Sequence, residues 1–290
     1  MPERVADDAL HAGERPFVFD ERDFRRVCRS IHARAGIHLG AHKRDMVYSR
    51  LVRRLRARGI ARFSDYLDLV DDPDGDEAQN FVNALTTNLT SFFREAHHFP
   101  LLADQLRAAP ANAGPLRIWC CAASTGEEPW SLAITACEAF DTLTPPVRIL
   151  ATDIDTAVLQ TAARGVYPLE RIESLELARK RRFFQRGSGP NAGLCRIRPE
   201  LRALVEYRPL NLLAAEYGIR PASLLAVFCR NVMIYFDKPT QYAVLQRIAP
   251  LLTDDGRMYA GHSESFNHAS DVVAPCGRTV YRAARTKGDA

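Results

Sequence analysis

Apolar residues recur every three or four positions through the first quarter of the chain. Beyond it they gather into short apolar runs separated by helical stretches. Phe24, Val27 and Ile31 predict a helix from Asp20, with Asp20 as N-cap, Asp23 in the first turn and Gly36 as the stop. Val47, Leu51 and Leu55 predict a second helix over Lys43–Arg58, closed by Gly59. Tyr66, Leu67 and Val70 mark a third, short one from Ser64. The acidic Pro/Gly stretch Asp71–Asp76 reads as a hinge. It divides the chain into an all-α portion, residues 1–76, and a larger portion, residues 77–290. Past the hinge, Phe81, Leu85 and Leu89 keep a helical period that Thr86-Thr87-Asn88 interrupts.

From Leu116 the pattern becomes strand, helix, strand. Leu116–Cys120, Val147–Thr152, Val205–Tyr207, Leu224–Cys229 and Arg257–Ala260 read as strands. Helical stretches from Glu127 to Phe140, Val158 to Arg164 and Thr240 to Leu252 lie among them. Such alternation predicts an α/β fold with a doubly wound, mostly parallel sheet covered on both faces. Arg278–Arg282 is expected to add an edge strand. Residues 181–207 break the alternation. Phe183-Phe184 is followed by a glycine-rich loop, and then Cys195 and Ile197 alternate with Arg196 and Arg198. That period marks a half-buried antiparallel strand, so a small β insertion is expected there.

The chemistry concentrates at strand ends. After Leu116–Cys120 come the small residues Ala122-Ala123-Ser124-Thr125-Gly126 and then a helix start carrying Glu127, Glu128 and Pro129. Strand, small-residue turn and helix form a nucleotide pocket at the carboxyl end of a strand. Two carboxylates in the first turn argue against a phosphate guest, which a helix N-terminus otherwise favours. Asp153, at the end of the next strand, is placed to accept from a ribose 2′-hydroxyl, while Asp155 can cap the following helix. A ribose acceptor without a Gly-x-Gly-x-x-Gly turn fits S-adenosylmethionine better than a nicotinamide or flavin nucleotide. The Asn88–Arg94 segment reads by itself as a helix cap with a solvent-facing arginine. His97 and His98 cannot share one helical face, so a surface or capping role is expected rather than metal chelation. Cys229-Arg230-Asn231-Val232-Met233-Ile234-Tyr235-Phe236 ends a strand where such sheets bind ligands.

Composition narrows the class. With 290 residues, 47% hydrophobic and 26% charged, the chain is an ordinary globular protein with room for a large and a small domain. It has no apolar run of membrane-spanning length, and its polar first twelve residues do not read as a secretory signal. Seven scattered cysteines show no zinc or disulfide spacing, so no metal is expected and a cytoplasmic setting is. The adjacent Cys120 and Cys121 read as packing. A net charge of +4 permits an acidic partner without demanding nucleic acid. Lys43, Arg44, Arg50, Arg53, Arg54, Arg56 and Arg58 crowd one helix, either as a solvated face or as a docking face for an acidic partner.

Several segments together resemble the chemotaxis receptor glutamate methyltransferases. They are Thr87–Glu95, Ala123–Pro129, Asp153–Asp155, Asn211-Leu212, Cys229–Phe236 and Gly261–Ser265, and the likeness runs from about Phe17 to Tyr281. The resemblance implies transfer of the S-adenosylmethionine methyl group to glutamate carboxylates of chemoreceptors, with S-adenosylhomocysteine as product. It implies cofactor contacts from Asn88, Thr90, Arg94, Glu128, Asp153, Asn211, Leu212, Arg230 and Asn231. It places Arg94 and Tyr235 where substrate carboxylate meets methyl group. The family's helical N-terminal domain faces the receptor helices. In some members the β insertion grips a receptor C-terminal peptide, and Arg186, Gly187, Gly189 and Arg196 are the candidates here. A cytoplasmic monomer recruited to receptor arrays, with no nucleic-acid partner and no membrane insertion, follows from the likeness. Two competing readings are a nucleic-acid methyltransferase, with the arginine-rich helix as footprint, and a non-enzymatic receptor adaptor. Against the first, the fourth strand ends in Arg230-Asn231-Val232 rather than Asn-Pro-Pro-aromatic; against the second stands the pairing of Arg94 with Tyr235.

Overall fold

The computed structural model describes residues 16–110 and 114–284, so the first twelve residues weighed above lie outside it. Packing divides the chain into two units. One holds the residues up to Ser30 together with Leu39–Leu85, and the other holds Ile31–His38 and everything from Thr86 onward.

The first unit is helical. It takes in most of α1 (Glu21–Ala35), then α2 (Arg44–Arg58), α3 (Phe63–Asp71) and α4 (Glu77–Leu85). Asp20 caps α1 as expected: its carboxylate accepts from the Asp23 N–H at 2.8 Å, and the Asp23 carboxylate accepts in return from the Asp20 N–H at 3.3 Å. The expected stripe of α2, Val47, Leu51 and Leu55, is fully buried. Each such side chain is worth about 1.5–3 kcal/mol relative to exposure. The units part after Leu85 and not at the acidic stretch Asp71–Asp76. The reason is α4, which packs Phe81, Val82 and Leu85 into the same helical core and buries the Glu77 carboxylate. Arg54 donates to both Glu77 oxygens, at 2.8 and 2.7 Å, and Tyr66 donates its hydroxyl at 3.0 Å. The arginine-rich helix is therefore spent partly on its own unit. Arg54 serves Glu77, Arg58 reaches Asp76 at 2.8 Å, Arg50 the Leu85 carbonyl at 3.0 Å and Arg44 the Phe19 carbonyl at 2.6 Å. Lys43, Arg53 and Arg56 stay exposed.

The second unit is the expected α/β sheet. Along the chain run α5 (His98–Ala108), β1 (Leu116–Cys120), α6 (Glu127–Ala139), β2 (Val147–Asp153) and α7 (Thr156–Arg164). Then come β3 (Val166–Pro168), α8 (Leu177–Phe183), β4 (Phe184–Arg186), β5 (Leu194–Ile197), α9 (Pro199–Arg202) and β6 (Val205–Pro209). The chain closes with β7 (Leu224–Cys229), α10 (Lys238–Ile248), β8 (Leu252–Ala260), β9 (Val273–Gly277) and β10 (Val280–Ala283). Seven strands form one sheet in the order β6-β2-β1-β7-β8-β10-β9. The first five are parallel, and β10 pairs antiparallel with both β8 and β9. Alternate strand residues feed two cores. Ile118, Cys120, Ile149 and Phe228 pack with α5 and α6, whereas Trp119, Val227 and Met258 pack with α10.

Two strand assignments change. The C-terminal strand β10 is not the edge; it lies between β8 and β9, and its Val280 and Tyr281 are buried. The β insertion is a three-stranded antiparallel sheet, β3-β5-β4, that opens at Val166 and closes at Ile197. Its end is earlier than expected because Val205–Tyr207 pairs with β2 in the large sheet. Phe183 and Phe184 are both buried in it, and Cys195 and Ile197 face inward as their alternation predicts. Among the described residues no helix is long and apolar enough to cross a membrane.

Replacing Glu77 by alanine leaves Arg54 and Arg58 facing an apolar gap. The expected cost to the helical unit is about 3 kcal/mol, near the lower end for a broken buried pair because Arg54 still reaches water. A lowered midpoint in chemical denaturation, followed by helical circular dichroism, checks this; an unchanged midpoint refutes it.

Candidate active site

The carboxyl ends of β1, β2 and β7 converge on one place in the second unit. The chain leaves β1 through Ser124, whose N–H donates to the Asp153 carboxylate at 2.8 Å. It then turns through Gly126, whose φ of +101° and tight approach to Ala162 and the Tyr167 hydroxyl exclude a side chain. The two glutamates that open α6 part company. Glu127 turns inward, accepts from the Thr125 hydroxyl at 2.6 Å and pairs with Arg171. Glu128 faces Arg230, with oxygen to Nη1 at 3.3 Å, and accepts from the Cys120 thiol at 3.2 Å. Cys120 is therefore more than the packing residue expected. Burial raises the Glu128 pKa, against the pull of Arg230.

Asp153 ends β2 almost fully buried, and its second oxygen accepts from the Asp155 N–H at 2.9 Å. Burial raises its pKa to about 6, opposed by these backbone donors. Asp155 caps α7 as expected, accepting from Ala157 and Val158. It also accepts from the Asn88 side-chain amide at 2.9 Å and the Thr86 hydroxyl at 2.7 Å. That joins the Asn88–Arg94 segment to the strand ends.

This segment is no helix cap. It is an irregular stretch in which Phe93 and Glu95 adopt φ of +52° and +54°. Phe92 anchors it edge-on between Tyr167 and Phe184, with ring centroids 5.2 and 5.4 Å away. The Phe93 N–H donates to the Ser131 hydroxyl at 2.9 Å. Leu89 falls outside the helical period expected of it and is 77% exposed. Arg94 folds back to the Leu89 carbonyl at 2.8 Å, and the Thr90 carbonyl accepts from Arg171 at 3.3 Å.

Arg230 ends β7 with its side chain wholly buried. It donates to the Arg94 carbonyl and lies 3.6 Å from Glu95. Its Nε and Nη1 have no hydrogen-bond partner. Glu95 also accepts from the His262 ring at 2.9 Å, the His262 N–H at 3.1 Å and the Asn231 amide at 3.3 Å. Burial works against its ionisation, but these donors and Arg230 outweigh it and hold its pKa at about 2. Asn231 follows with φ +57°. The fold continues through Tyr235, half-buried, whose carbonyl accepts from the His38 N–H at 2.9 Å. Asn211 and Leu212 lie beside the end of β2, where the Leu210 N–H donates to the Asp153 carbonyl at 3.0 Å. The Asn211 amide reaches the Arg34 carbonyl at 2.6 Å.

Three contributors escaped the sequence reading. Glu95 was visible only as a member of a matching run. Glu264 is buried and accepts four backbone N–H groups: Val232 and Met233 at one oxygen, at 3.0 and 2.8 Å, and Asn231 and Gly261 at the other, at 2.9 and 2.5 Å. No local spacing could have linked it to the β7 turn, because the contact crosses a helix and a strand. His98 is fully buried, not at the surface, and bonds the Thr279 hydroxyl at 2.8 Å. Burial and the nearby Arg230 lower its pKa to about 4, so it is neutral at pH 7.

The family model for the CheR methyltransferase SAM-binding domain matches residues 88–282, and that for the CheR methyltransferase all-alpha domain matches residues 22–86. The chain belongs to the CheR methyltransferase family. Chemotaxis protein methyltransferase 2 of Pseudomonas aeruginosa is 54% identical over 269 residues, covering 93% of this chain and 95% of that one. The chemotaxis protein methyltransferase of Klebsiella aerogenes is 50% identical, covering 98% and 97%. That of Escherichia coli is 50% identical, covering 91% of each. This CheR-family chain is thus an S-adenosylmethionine-dependent methyltransferase, and its two matched stretches meet where the two packed units part. The donor set fits that cofactor. Asp153 offers carboxylate acceptors for a ribose, Glu128 an anion for a cationic group, and Arg230 an Nε–H without a hydrogen-bond partner for a carboxylate.

Glu264→Gln tests the support beneath the site. Both Glu264 oxygens face two N–H donors, so either amide orientation sets an NH2 group against a pair of donors. A loss of about 2–3 kcal/mol in stability is expected, together with slower methyl transfer. Denaturation midpoints and turnover measured side by side check it; wild-type values for both refute the assignment.

Proposed function

We propose that this CheR-family chain transfers the methyl group of S-adenosylmethionine to glutamate side-chain carboxylates of chemoreceptors, as the methylating step of chemotactic adaptation. The observation that carries the reading is the Arg230 cluster at the carboxyl ends of the strands, in a chain matched over both family domains. Asn88, Thr90, Arg94, Glu128, Asp153, Asn211, Leu212, Arg230 and Asn231 form the cofactor pocket. Arg94 and Tyr235 meet the acceptor carboxylate.

When bound, S-adenosylmethionine supplies a methyl group made electrophilic by a sulfonium centre. A glutamate carboxylate is already ionised at neutral pH, so the protein need supply no general base. The remaining tasks are positioning and exclusion of water. The Arg94 guanidinium orients the acceptor carboxylate and favours its ionised form. Tyr235 supplies an aromatic wall and a hydroxyl donor. The protein's contribution is entropic and electrostatic, and misplacement by 1 Å can cost about 10²-fold.

Recruitment is a separate matter. The insertion leaves β4 at the edge of its sheet, with Arg186 and Arg196 exposed. An exposed edge can accept an added peptide strand, with main-chain hydrogen bonds for affinity and side chains for selection. We assign this edge to a receptor C-terminal peptide. Gly187 serves the hairpin itself, because a side chain there would collide with the Asn191 carbonyl. The exposed cations of α2 provide a salt-sensitive contribution to receptor association. The protein acts as a cytoplasmic monomer brought to receptor arrays.

The deciding experiment is transfer of labelled methyl groups to receptor cytoplasmic fragments with and without their C-terminal tail. Base-labile label is expected on the fragments, faster with the tail. Arg94→Ala should lower the rate by about 10²-fold. Arg186→Glu should erase the advantage of the tail and spare transfer to the tail-less fragment. Label on RNA or DNA instead would favour the nucleic-acid reading, and saturable cofactor binding without turnover would favour an adaptor.

A second test uses pH. In the fold Asp153 takes up its proton near pH 6, above the ordinary carboxylate range, so acid removes the ribose acceptor before it protonates most other carboxylates. Cofactor affinity by calorimetry should fall as pH drops through about 6. Asp153→Asn should bind more weakly at pH 7.5 and lose that pH dependence. A wild-type affinity flat from pH 7.5 to pH 5 removes Asp153 from the pocket.

A further inference from the structure

The sheet has a second concave surface at its opposite end. On the face that carries Trp119, the amino-terminal halves of β1 and β2 and the length of β6 open into a groove of about 570 Å³. Arg117, Arg148, Arg208 and Arg220 line it around a floor that includes Leu150, and Glu206 is the one carboxylate among the lining residues. Arg117 and Arg148 are register partners on adjacent parallel strands. Neighbouring strands run about 4.8 Å apart, and like charges placed directly opposite destabilise a sheet. Nothing among the described residues neutralises them. Arg148 turns back to the Val147 carbonyl at 3.2 Å, Arg208 donates to the Tyr217 carbonyl at 2.7 Å, and none of the four pairs with a carboxylate. Arg117, Arg148 and Arg220 are exposed.

We propose that this groove binds an organic anion carrying two or more phosphate groups, of the nucleoside diphosphate class. Guanidinium forks match phosphate oxygens in bidentate pairs, and four of them in one concavity suit a polyphosphate better than a single anion. The apolar floor gives a ring system a surface to lie on. The volume falls within the range of about 300–1,000 Å³ typical of small-molecule sites. The groove is distinct from the methyl-transfer pocket. None of its lining residues belongs to that pocket, and Arg117 and Arg148 stand in the amino-terminal halves of strands whose carboxyl ends lead to Ser124 and Asp153.

Calorimetry of the full chain with ADP and with inorganic pyrophosphate tests this. ADP should bind saturably, more tightly than pyrophosphate, and more weakly as salt rises. Arg117→Gln with Arg148→Gln should weaken ADP by about ten- to a hundred-fold. The same pair should leave S-adenosylmethionine affinity unchanged, which also shows that the variant is folded. No saturable ADP binding, or equal affinity in the double variant, overturns the proposal. So does ADP that is displaced by S-adenosylmethionine, which places it in the other pocket. Salt-sensitive binding of a polyglutamate peptide in place of ADP reassigns the groove to an acidic protein segment and likewise overturns it.

Discussion

A guanidinium wholly buried behind the strand ends holds the candidate site together. Taking such a cation out of solvent costs several kcal/mol unless anions and acceptors surround it. Arg230 meets that condition by drawing in Glu95 from the loop after Phe93, Glu128 from the first turn of α6, and the Arg94 carbonyl. Three segments far apart in the chain are thereby fastened at one point. The two carboxylates are not equivalent. Glu95 accepts from His262 and Asn231 as well, and those donors keep it ionised with a pKa of about 2. Glu128 has only a thiol besides Arg230, and burial pushes its pKa up. Glu95 spends its hydrogen bonds on one oxygen and leaves the other to Arg230, whereas Glu128 accepts only the thiol.

The backbone around this point is held in costly conformations. Among the described residues seven non-glycine residues have positive φ, and four of them, Phe93, Glu95, Ser124 and Asn231, lie at the site. Each such residue costs about 1–3 kcal/mol and persists only where its surroundings over-determine it. Here the constraints can be named. Ser131 holds the Phe93 N–H, Asp153 holds that of Ser124, and Glu264 holds that of Asn231. Two buried carboxylates and a buried hydroxyl thus do for these loops what a strand ladder does for the sheet. They give backbone donors a fixed acceptor and so fix where the neighbouring side chains point.

Local pattern made the sheet legible because its strands are short apolar runs between capped helices. Asp20, Gly59 and Asp155 marked element ends through effects confined to one turn. The places of Asp153 and Arg230 at strand ends and of Glu128 at a helix start were legible for the same reason, since position at the end of an element is a local property. What stayed hidden depends on contacts across the chain. His98 reads as a surface or capping histidine until Thr279 is beside it, and Glu264, seen in sequence only as a member of a matching run, gains its role once the β7 turn is folded over it. The reach of α4 into the helical core was masked by the acidic stretch before it. Asp71–Asp76 has hinge composition, yet Asp71 and Asp76 are bound to Arg26 and Arg58 in the same unit. Composition describes what a segment would do in water, and these aspartates have partners that composition cannot see.

The acidic start of α6 also becomes intelligible. A helix N-terminus stabilises negative charge, so two adjacent glutamates there compete for the same field. The fold separates them by giving one a partner of its own. Arg171 and Thr125 neutralise Glu127 on the side of the β insertion, and Glu128 is left on the side of Arg230 and the strand ends. Acid accordingly gathers at the carboxyl end of the sheet, in Glu95, Glu128, Asp153 and Glu264, against a single buried arginine. In the groove lined by β1, β2 and β6 four arginines surround a single glutamate. On the proposal made above, a cationic sulfonium compound and a polyphosphate would each be repelled by the surface suited to the other, so the opposite polarity of the two surfaces would let one parallel sheet take both without mutual interference.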